Sequence, residues 1–294
     1  MSAHRYASPM AFRRGLTDKL KEAAKASKWE LPQLQRQMAY DRLLARLYAV
    51  DDKWIVKGAT ALLARDIGVR ATIDIDVYLD ATTDLAEREL RDAAAIDLGD
   101  WFSFEVGSPR PTADAAGGRR LPVVASIGTT VWASFHVDLV GPGVKMTGEP
   151  EPVPALAKVS NVEQHGYRAY PLVDHVADKV AATFDRYGES ESPSTRYKDL
   201  VDLVAIAKEC SVEAAALSLA VHSEFERRSL ELPRRFRVPD YEQWKRGYEF
   251  AVRDSILRTH QTLEEALDLM AAFIDLVLDG SAEGAWEPKS AAWA

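Results

Sequence analysis

Two aspartates one residue apart, Asp74 and Asp76, are the residues of this 294-residue chain best placed to do chemistry. They lie in the segment Ala71-Thr-Ile-Asp-Ile-Asp-Val-Tyr-Leu79, where Ile73, Ile75, Val77 and Leu79 alternate with Thr72, Asp74, Asp76 and Tyr78. That alternation reads as a β-strand with one apolar face. On a strand, residues i and i+2 point the same way, about 7 Å apart. Two ionised carboxylates at that spacing repel by roughly 2–3 kcal/mol at an effective dielectric near 20. Aspartate is also a poor strand former. A divalent cation would offset both costs, and Mg²⁺ takes carboxylate and phosphate oxygens together. The alternative is a solvated polar face on an edge strand, where water screens the same repulsion.

Two further features share this part of the chain. Gly58-Ala59-Thr60 opens a helical stretch, and a glycine turn at a helix N-terminus presents free N–H groups to a phosphate. Asp138 is the single acid in the strand-like run Val131–Val140. If that strand neighbours the Asp74–Asp76 strand, three carboxylates could hold two Mg²⁺ ions and clamp the two oxygens of an in-line displacement. Later in the chain, Lys179 sits on a helix, and Arg196-x-Lys198-Asp199-x-x-Asp202 places Asp199 and Asp202 at i, i+3 on one helix face. A lysine there can neutralise phosphate as a point charge. The same residues could equally form an exposed ion-pair ladder.

The elements that must position these groups follow from periodicity. Residues 1–14 read as an irregular start. Two helical stretches follow, the second with Leu34, Met38, Leu44 and Leu47 on roughly one face and a break at Asp51-Asp52. Trp54-Ile55-Val56 reads as a strand running into the turn at Lys57-Gly58, and residues 59–66 as a helix ended by Gly68. Thr83 or Asp84 caps a helix to about Ala95, Trp101–Val106 is strand-like, and 107–120 is a Gly/Pro/Arg loop. Residues 171–187, 196–209, 212–230, 240–258 and 262–279 all read as helices. The expected organisation is a mixed α/β lobe, residues 1–155, and a mostly helical lobe, 156–294, meeting near the Pro-rich segment 149–156.

Composition narrows the class. The chain is 47% hydrophobic with a net charge of −8, so a sizeable core is available and the surface as a whole repels polyanions. That argues against a large sequence-independent DNA binder and leaves room for an enzyme gripping one end of a small RNA. One cysteine, Cys210, excludes an internal disulfide and a Cys-rich zinc site, which suits a reducing cytoplasm. No apolar run is long enough to span a bilayer, so no membrane association is expected.

The order of these motifs, a glycine turn, then Asp-x-Asp on a strand, then a lone aspartate on a later strand, resembles the polymerase-beta-like nucleotidyltransferase superfamily. Lys57-Gly58-Ala59-Thr60-Ala61-Leu62 followed by Arg70-Ala71-Thr72-Ile73-Asp74-Ile75-Asp76 is similar to the AbiEii family of toxin nucleotidyltransferases, which includes the MenT toxins of mycobacteria. Ala177-Asp178-Lys179-Val180-Ala181-Ala182 and Arg196-Tyr197-Lys198-Asp199-Leu200-Val201-Asp202 match the family's later motifs in the same order. Where the family often has a second glycine this chain has Ala59, which serves if that backbone does not need a positive φ.

The resemblance implies an α+β fold: a nucleotidyltransferase core of mixed sheet flanked by helices, with a mostly helical C-terminal lobe. It implies Mg²⁺-dependent (or Mn²⁺-dependent) transfer of a nucleotide from an NTP to the 3′ acceptor end of tRNA, blocking translation, and a cognate antitoxin as partner. Asp74, Asp76 and Asp138 would hold metal. Lys179 and one of Asp199 and Asp202, with Asp199 first, would be essential. Lys57, Gly58, Thr60, Arg70, Arg196 and Lys198 would contact the nucleotide. Thr72 stands where relatives carry a hydroxyl that a partner antitoxin can phosphorylate. A basic cluster, Arg227, Arg228, Arg234, Arg235 and Arg237 with Phe236 and Tyr241, could grip RNA or be neutralised by the interleaved Glu224, Glu226 and Glu231; Arg119 and Arg120 add charge in the expected loop. Modification of a protein or small molecule, and a non-catalytic nucleotide-binding module, are the competing functions.

Overall fold

The computed structural model of the chain describes residues 6–67, 70–112, 117–157, 165–188 and 190–294. Gly68, the expected end of the third helix, and residues 113–116 of the expected loop lie outside the described residues. The chain divides into two compact units. The first is Met1–Arg65, Ala71–Val144 and Pro152–Ala169; the second is Asp66–Arg70, Lys145–Glu151 and Tyr170–Ala294.

The first unit begins with α1 (Pro9–Ala26), inside the segment expected to be irregular. Ser8 and Pro9 explain the difference: the Ser8 hydroxyl accepts a hydrogen bond from the Ala11 amide at 3.2 Å, and proline suits the first helical position. Helix α2 (Leu31–Val50) buries Leu34, Met38, Leu44 and Leu47 as their spacing predicts, and ends at Asp51. Next come β1 (Ile55–Lys57), α3 (Gly58–Ala64), β2 (Asp74–Tyr78) and α4 (Thr83–Ala94). The α4 cap is Thr82, one residue earlier than expected; its hydroxyl accepts from the Leu85 amide. Then follow β3 (Phe102–Val106), β4 (Arg110–Pro111), β5 (Arg119–Ile127), β6 (Thr130–Leu139), β7 (Glu151–Val153) and β8 (Tyr167–Ala169).

Among the described residues these eight strands form one mixed sheet, ordered β3-β5-β6-β2-β1-β8-β7, with β4 beside β5. Strands β2 and β6 run parallel, while β1–β2, β5–β6 and β3–β5 are antiparallel. One face is apolar: Ile75 and Val77 of β2, Phe135, Val137 and Leu139 of β6, and Leu121, Val123, Ala125 and Ile127 of β5 all join the core with residues of α1, α2 and α4. The alternation places Asp74, Asp76, Arg120, His136 and Asp138 on the other face. Strand β2 is shorter than the sequence pattern suggests, and Ile73 just before it is 54% exposed.

Strand β5 corrects the loop expected at 107–120. Proline is unusual in a strand paired on both sides, and Pro122 sits in such a strand, opposite His136. Its carbonyl still accepts from the Gly107 amide at 2.8 Å. The period-2 burial of Leu121, Val123, Ala125 and Ile127 outweighs that single missing donor.

The second unit is chiefly helical, as expected: α5 (Leu172–Phe184), α6 (Tyr197–Glu209), α7 (Ala214–Arg227), α8 (Tyr241–Arg253) and α9 (Leu263–Met270). A π-helical turn at Ala271–Asp275 separates α9 from the short α10 (Leu276–Leu278), so the single expected helix 262–279 is interrupted. Helix α5 packs against α7, and α6 against α8 and α9. Two small hairpins, β9 (Arg186–Tyr187) with β10 (Ser192–Pro193) and β11 (Trp286–Glu287) with β12 (Ala292–Trp293), complete it. Among the described residues no helix is long and apolar enough to cross a membrane.

Candidate active site

The parallel pairing of β2 with β6 sets Asp76 opposite Asp138 and Asp74 opposite His136. All four therefore share the polar face of the sheet. Antiparallel β5 adds Arg120 opposite Asp138. Arg120 donates twice to Asp138, Nε to Oδ1 at 2.8 Å and Nη2 to Oδ2 at 2.6 Å, and Nη2 lies 3.4 Å from Asp74 Oδ2. His136 Nδ1 lies 3.2 Å from Asp74 Oδ1. The bond to Asp138 raises the Arg120 pKa further above its ordinary value, against a smaller lowering by burial, and the charges of Asp138, Asp74 and Asp76 add to the rise.

The backbone of this centre is held firmly. The buried Thr60 hydroxyl donates to the Asp74 carbonyl at 3.2 Å, and the Thr72 hydroxyl donates to the same oxygen at 3.0 Å. Thr72 Oγ1 also accepts from the Asp74 amide at 3.2 Å, while Tyr40 donates to the Thr72 carbonyl at 3.0 Å. Strand β1 pairs Lys57 with Asp76. The next residue, Gly58, takes φ +58° at the strand-to-helix turn. A Cβ there would meet Asp76 Oδ2 and Cγ at impossibly short range, so this position needs glycine for both conformation and space. Ala59 lies in α3 without a positive φ, so it meets the requirement of that turn.

Among the described residues no group of three or more His, Cys, Asp or Glu side chains is gathered closely enough to hold a metal ion. Asp138 and Asp74 instead face the Arg120 guanidinium. The donor set nonetheless fits a hard divalent cation: oxygen ligands from adjacent strands, around a point where a positive group already sits.

The second unit holds a charge cluster of its own. Lys179 of α5 is buried, with Nζ 2.7 Å from Asp199 Oδ1 and 2.8 Å from Asp202 Oδ2. Arg70 makes a two-pronged pair with Asp202 at 2.9 and 2.7 Å, and Arg196 Nη1 stands 3.7 Å from Asp199. Burial pushes the Lys179 pKa down, but Asp199 and Asp202 outweigh it and hold the ammonium above its ordinary range. Burial likewise pushes both aspartates up; Lys179, with Arg196 beside Asp199 and Arg70 beside Asp202, holds them below the ordinary carboxylate range. Lys179 is thus a clamped cation, where its helical position alone suggests a mobile, solvated one. Lys198 is exposed.

The basic groups divide. Arg119 pairs with Asp84 and Glu87, and Arg120 faces the carboxylates, so neither stands in an open loop. Arg227 and Arg228 share Glu224 at 2.5 Å, and Arg228 also reaches Asp185 at 2.7 Å. Phe236 is buried against Phe184, which removes it as a base-stacking surface. Arg234, Arg235 and Arg237 are exposed. Sequence reasoning missed Arg120 and His136 as members of the site. For His136 the signal was present, since it stands two residues from Asp138 on one strand. For Arg120 it was the alternation that follows from Leu121.

A family model described as the nucleotidyl transferase AbiEii toxin of a type IV toxin–antitoxin system matches residues 42–277. The chain belongs to the AbiEii family. It is therefore a nucleotidyltransferase toxin of a type IV system, a class defined together with a cognate antitoxin. Among solved structures, the AbiEii chain is similar to MenT4, a nucleotidyltransferase toxin of Mycobacterium tuberculosis H37Rv, at 15% identity and a TM-score of 0.51, covering 90% of this chain and 98% of that one. It is also similar to JHP933 of Helicobacter pylori, at 18% identity and a TM-score of 0.48, covering 83% and 94%. A comparison with curated proteins finds no match. The likeness to MenT4 bears on the fold, a mixed sheet flanked by helices.

Proposed function

We propose that this AbiEii toxin transfers a nucleotide from an NTP to the 3′ acceptor end of tRNA, in a metal-dependent in-line displacement that stops translation in the cytoplasm. The observation that supports the chemistry is the parallel pairing of β2 with β6, which puts Asp74, Asp76 and Asp138 on one face of adjacent strands, with Arg120 beside Asp138 and Asp74. Asp74 and Asp76, with Asp138, would hold Mg²⁺ or Mn²⁺, which when bound would polarise phosphoryl oxygens as a Lewis acid. Asp138 accepts the proton of the attacking 3′-hydroxyl. Gly58 and Thr60 offer backbone amides to the phosphates, and Lys57 adds charge next to them. On the family's pattern, Lys179, kept protonated by Asp199 and Asp202, would stabilise the negative charge of the departing pyrophosphate, and Arg70, Arg196 and Lys198 would contribute to nucleotide binding. Such transfer is chiefly positioning and electrostatic stabilisation.

The acceptor assignment is supported by the family and by the exposed Arg234, Arg235 and Arg237, which suit a phosphate backbone. Regulation by the antitoxin runs through Thr72. Its hydroxyl is bonded to both backbone groups of Asp74. A phosphate there would break those bonds and add a charge of about −1.5 to −2 beside the metal carboxylates. A Thr72→Glu variant is expected to lose transfer while Thr72→Ser keeps it.

The deciding experiment incubates the purified protein with each α-labelled NTP, Mg²⁺ and total tRNA, with Asp76→Ala as control. Label on tRNA from the wild type and none from the variant is expected. Label on protein or a small molecule instead would overturn the acceptor. Equal label from both proteins would overturn the site.

A further inference from the structure

We propose that Arg120 is an exchangeable counter-cation that occupies the carboxylate centre in the metal-free enzyme and competes with the divalent ion for it. The inference rests on the metal site proposed for Asp74, Asp76 and Asp138 and adds a residue that controls its loading. Both Asp138 oxygens are engaged by Arg120, Oδ1 by Nε at 2.8 Å and Oδ2 by Nη2 at 2.6 Å. The same Nη2 leans toward Asp74 at 3.4 Å. A carboxylate gripped two-pronged by a guanidinium has the facing lone pair of each oxygen committed. Asp138 cannot therefore take a metal through both oxygens on this side until Arg120 leaves, and a guanidinium and a divalent ion brought together there would repel each other, so the two compete for the centre.

The surroundings permit that exchange. The Arg120 side chain is 43% exposed, so a departing guanidinium is rehydrated rather than stranded. The two-pronged pair of the second unit, Arg70 with Asp202, differs in this respect, because Asp202 is 1% exposed and shares Lys179. Breaking that pair would leave a buried charge uncompensated. Without a cation, the three carboxylates of the sheet face would repel one another. Arg120 relieves that repulsion while no metal is present, and a doubly charged ion relieves it more strongly. Arg120 thus stabilises the empty centre and raises the metal concentration needed to fill it. It is a positioning residue for the metal, not a group that touches the reacting atoms.

The test is a Mn²⁺ titration of the full chain, with free ion followed by electron paramagnetic resonance and no nucleotide present. Wild type, Arg120→Gln, Arg120→Lys and Asp76→Asn are compared. Arg120→Gln is expected to lower the Mn²⁺ Kd by about tenfold, the worth of one charge-assisted pair. Arg120→Lys should lower it by less, because an ammonium cannot grip Asp138 with two prongs. Asp76→Asn should weaken binding. A metal-free thermal melt gives a second readout: Arg120→Gln should melt below the wild type and gain more from Mn²⁺. Should the glutamine variant not fold, the lysine variant alone decides. If Arg120→Gln and Arg120→Lys both bind Mn²⁺ as the wild type does while Asp76→Asn binds less, Arg120 is a fixed partner and the inference fails, with the metal site intact. If neither wild type nor Arg120 variants bind Mn²⁺, the metal site itself fails and the inference with it.

Discussion

Gly58 approaches Asp76 so closely that a Cβ on the glycine would overlap Asp76 Oδ2. The strand-to-helix turn and the carboxylate are thus fitted to each other, and φ +58° at Gly58 adds a conformational demand. Gly58→Ala is expected to cost more than about 1 kcal/mol of stability, since alanine is strained at positive φ. It should also abolish transfer by displacing Asp76. Labelled-nucleotide transfer and a thermal melt measure the two effects. A variant with full activity would show that Asp76 need not hold this position.

Lys179 is the shared partner of Asp199 and Asp202, and only 7% of its side chain is exposed. Lys179→Met leaves two buried carboxylates short of a cation and is expected to destabilise the protein by about 3–5 kcal/mol. Asp202→Asn should cost more stability than Asp199→Asn, because Asp202 also binds Arg70. Denaturant unfolding ranks the three. Equal stability of both asparagine variants would remove the distinction drawn between the aspartates.

The same cluster sets a pH window. Asp199 and Asp202 are held below the ordinary carboxylate range in the folded chain. Their contribution is present above the unfolded value, about 4, and is lost as pH falls through the folded value. Lys179 is held above the ordinary range, so its contribution is present below about 10.4 and is lost as pH rises through the higher folded value. The difference in melting temperature between wild type and Asp199→Asn should stay level across neutral pH and shrink below about pH 4. A difference that grows on acidification would contradict the assignment.

Arg234, Arg235 and Arg237 are exposed, whereas Arg227 and Arg228 are tied to Glu224. Replacing the first three by alanine should raise the tRNA KM and flatten its dependence on salt, by up to about one unit of log–log slope for each phosphate no longer neutralised. Arg228→Ala should lower the melting temperature with little change in that slope. Steady-state kinetics at several salt concentrations separate the outcomes.

The signals that could be read along the chain were local ones. Alternation over five to ten residues placed Asp74 and Asp76 on one strand face and Asp138 on another. Turn chemistry marked Gly58, and helical period found the helices of the second unit. Strand β5 was hidden by Pro122 and by the glycine-rich lead into it, so Arg120 fell in a supposed loop. Asp199 and Asp202 could be seen sharing a helix face, but an exposed ladder and a buried clamp have the same spacing; burial by other helices separates them.

Side-chain direction within one element follows from backbone geometry that repeats every two or every 3.6 residues, and so the nature of the chemistry, carboxylates on a strand after a glycine turn, was written in the chain itself. Which strands lie side by side depends on pairings between distant segments. Asp138 meets Asp76 across a parallel pair with more than fifty residues between the two strands. Folding in three dimensions also put a guanidinium from a third strand into the acidic centre. That choice rests on long-range hydrogen bonding and burial, for which a single segment carries no record.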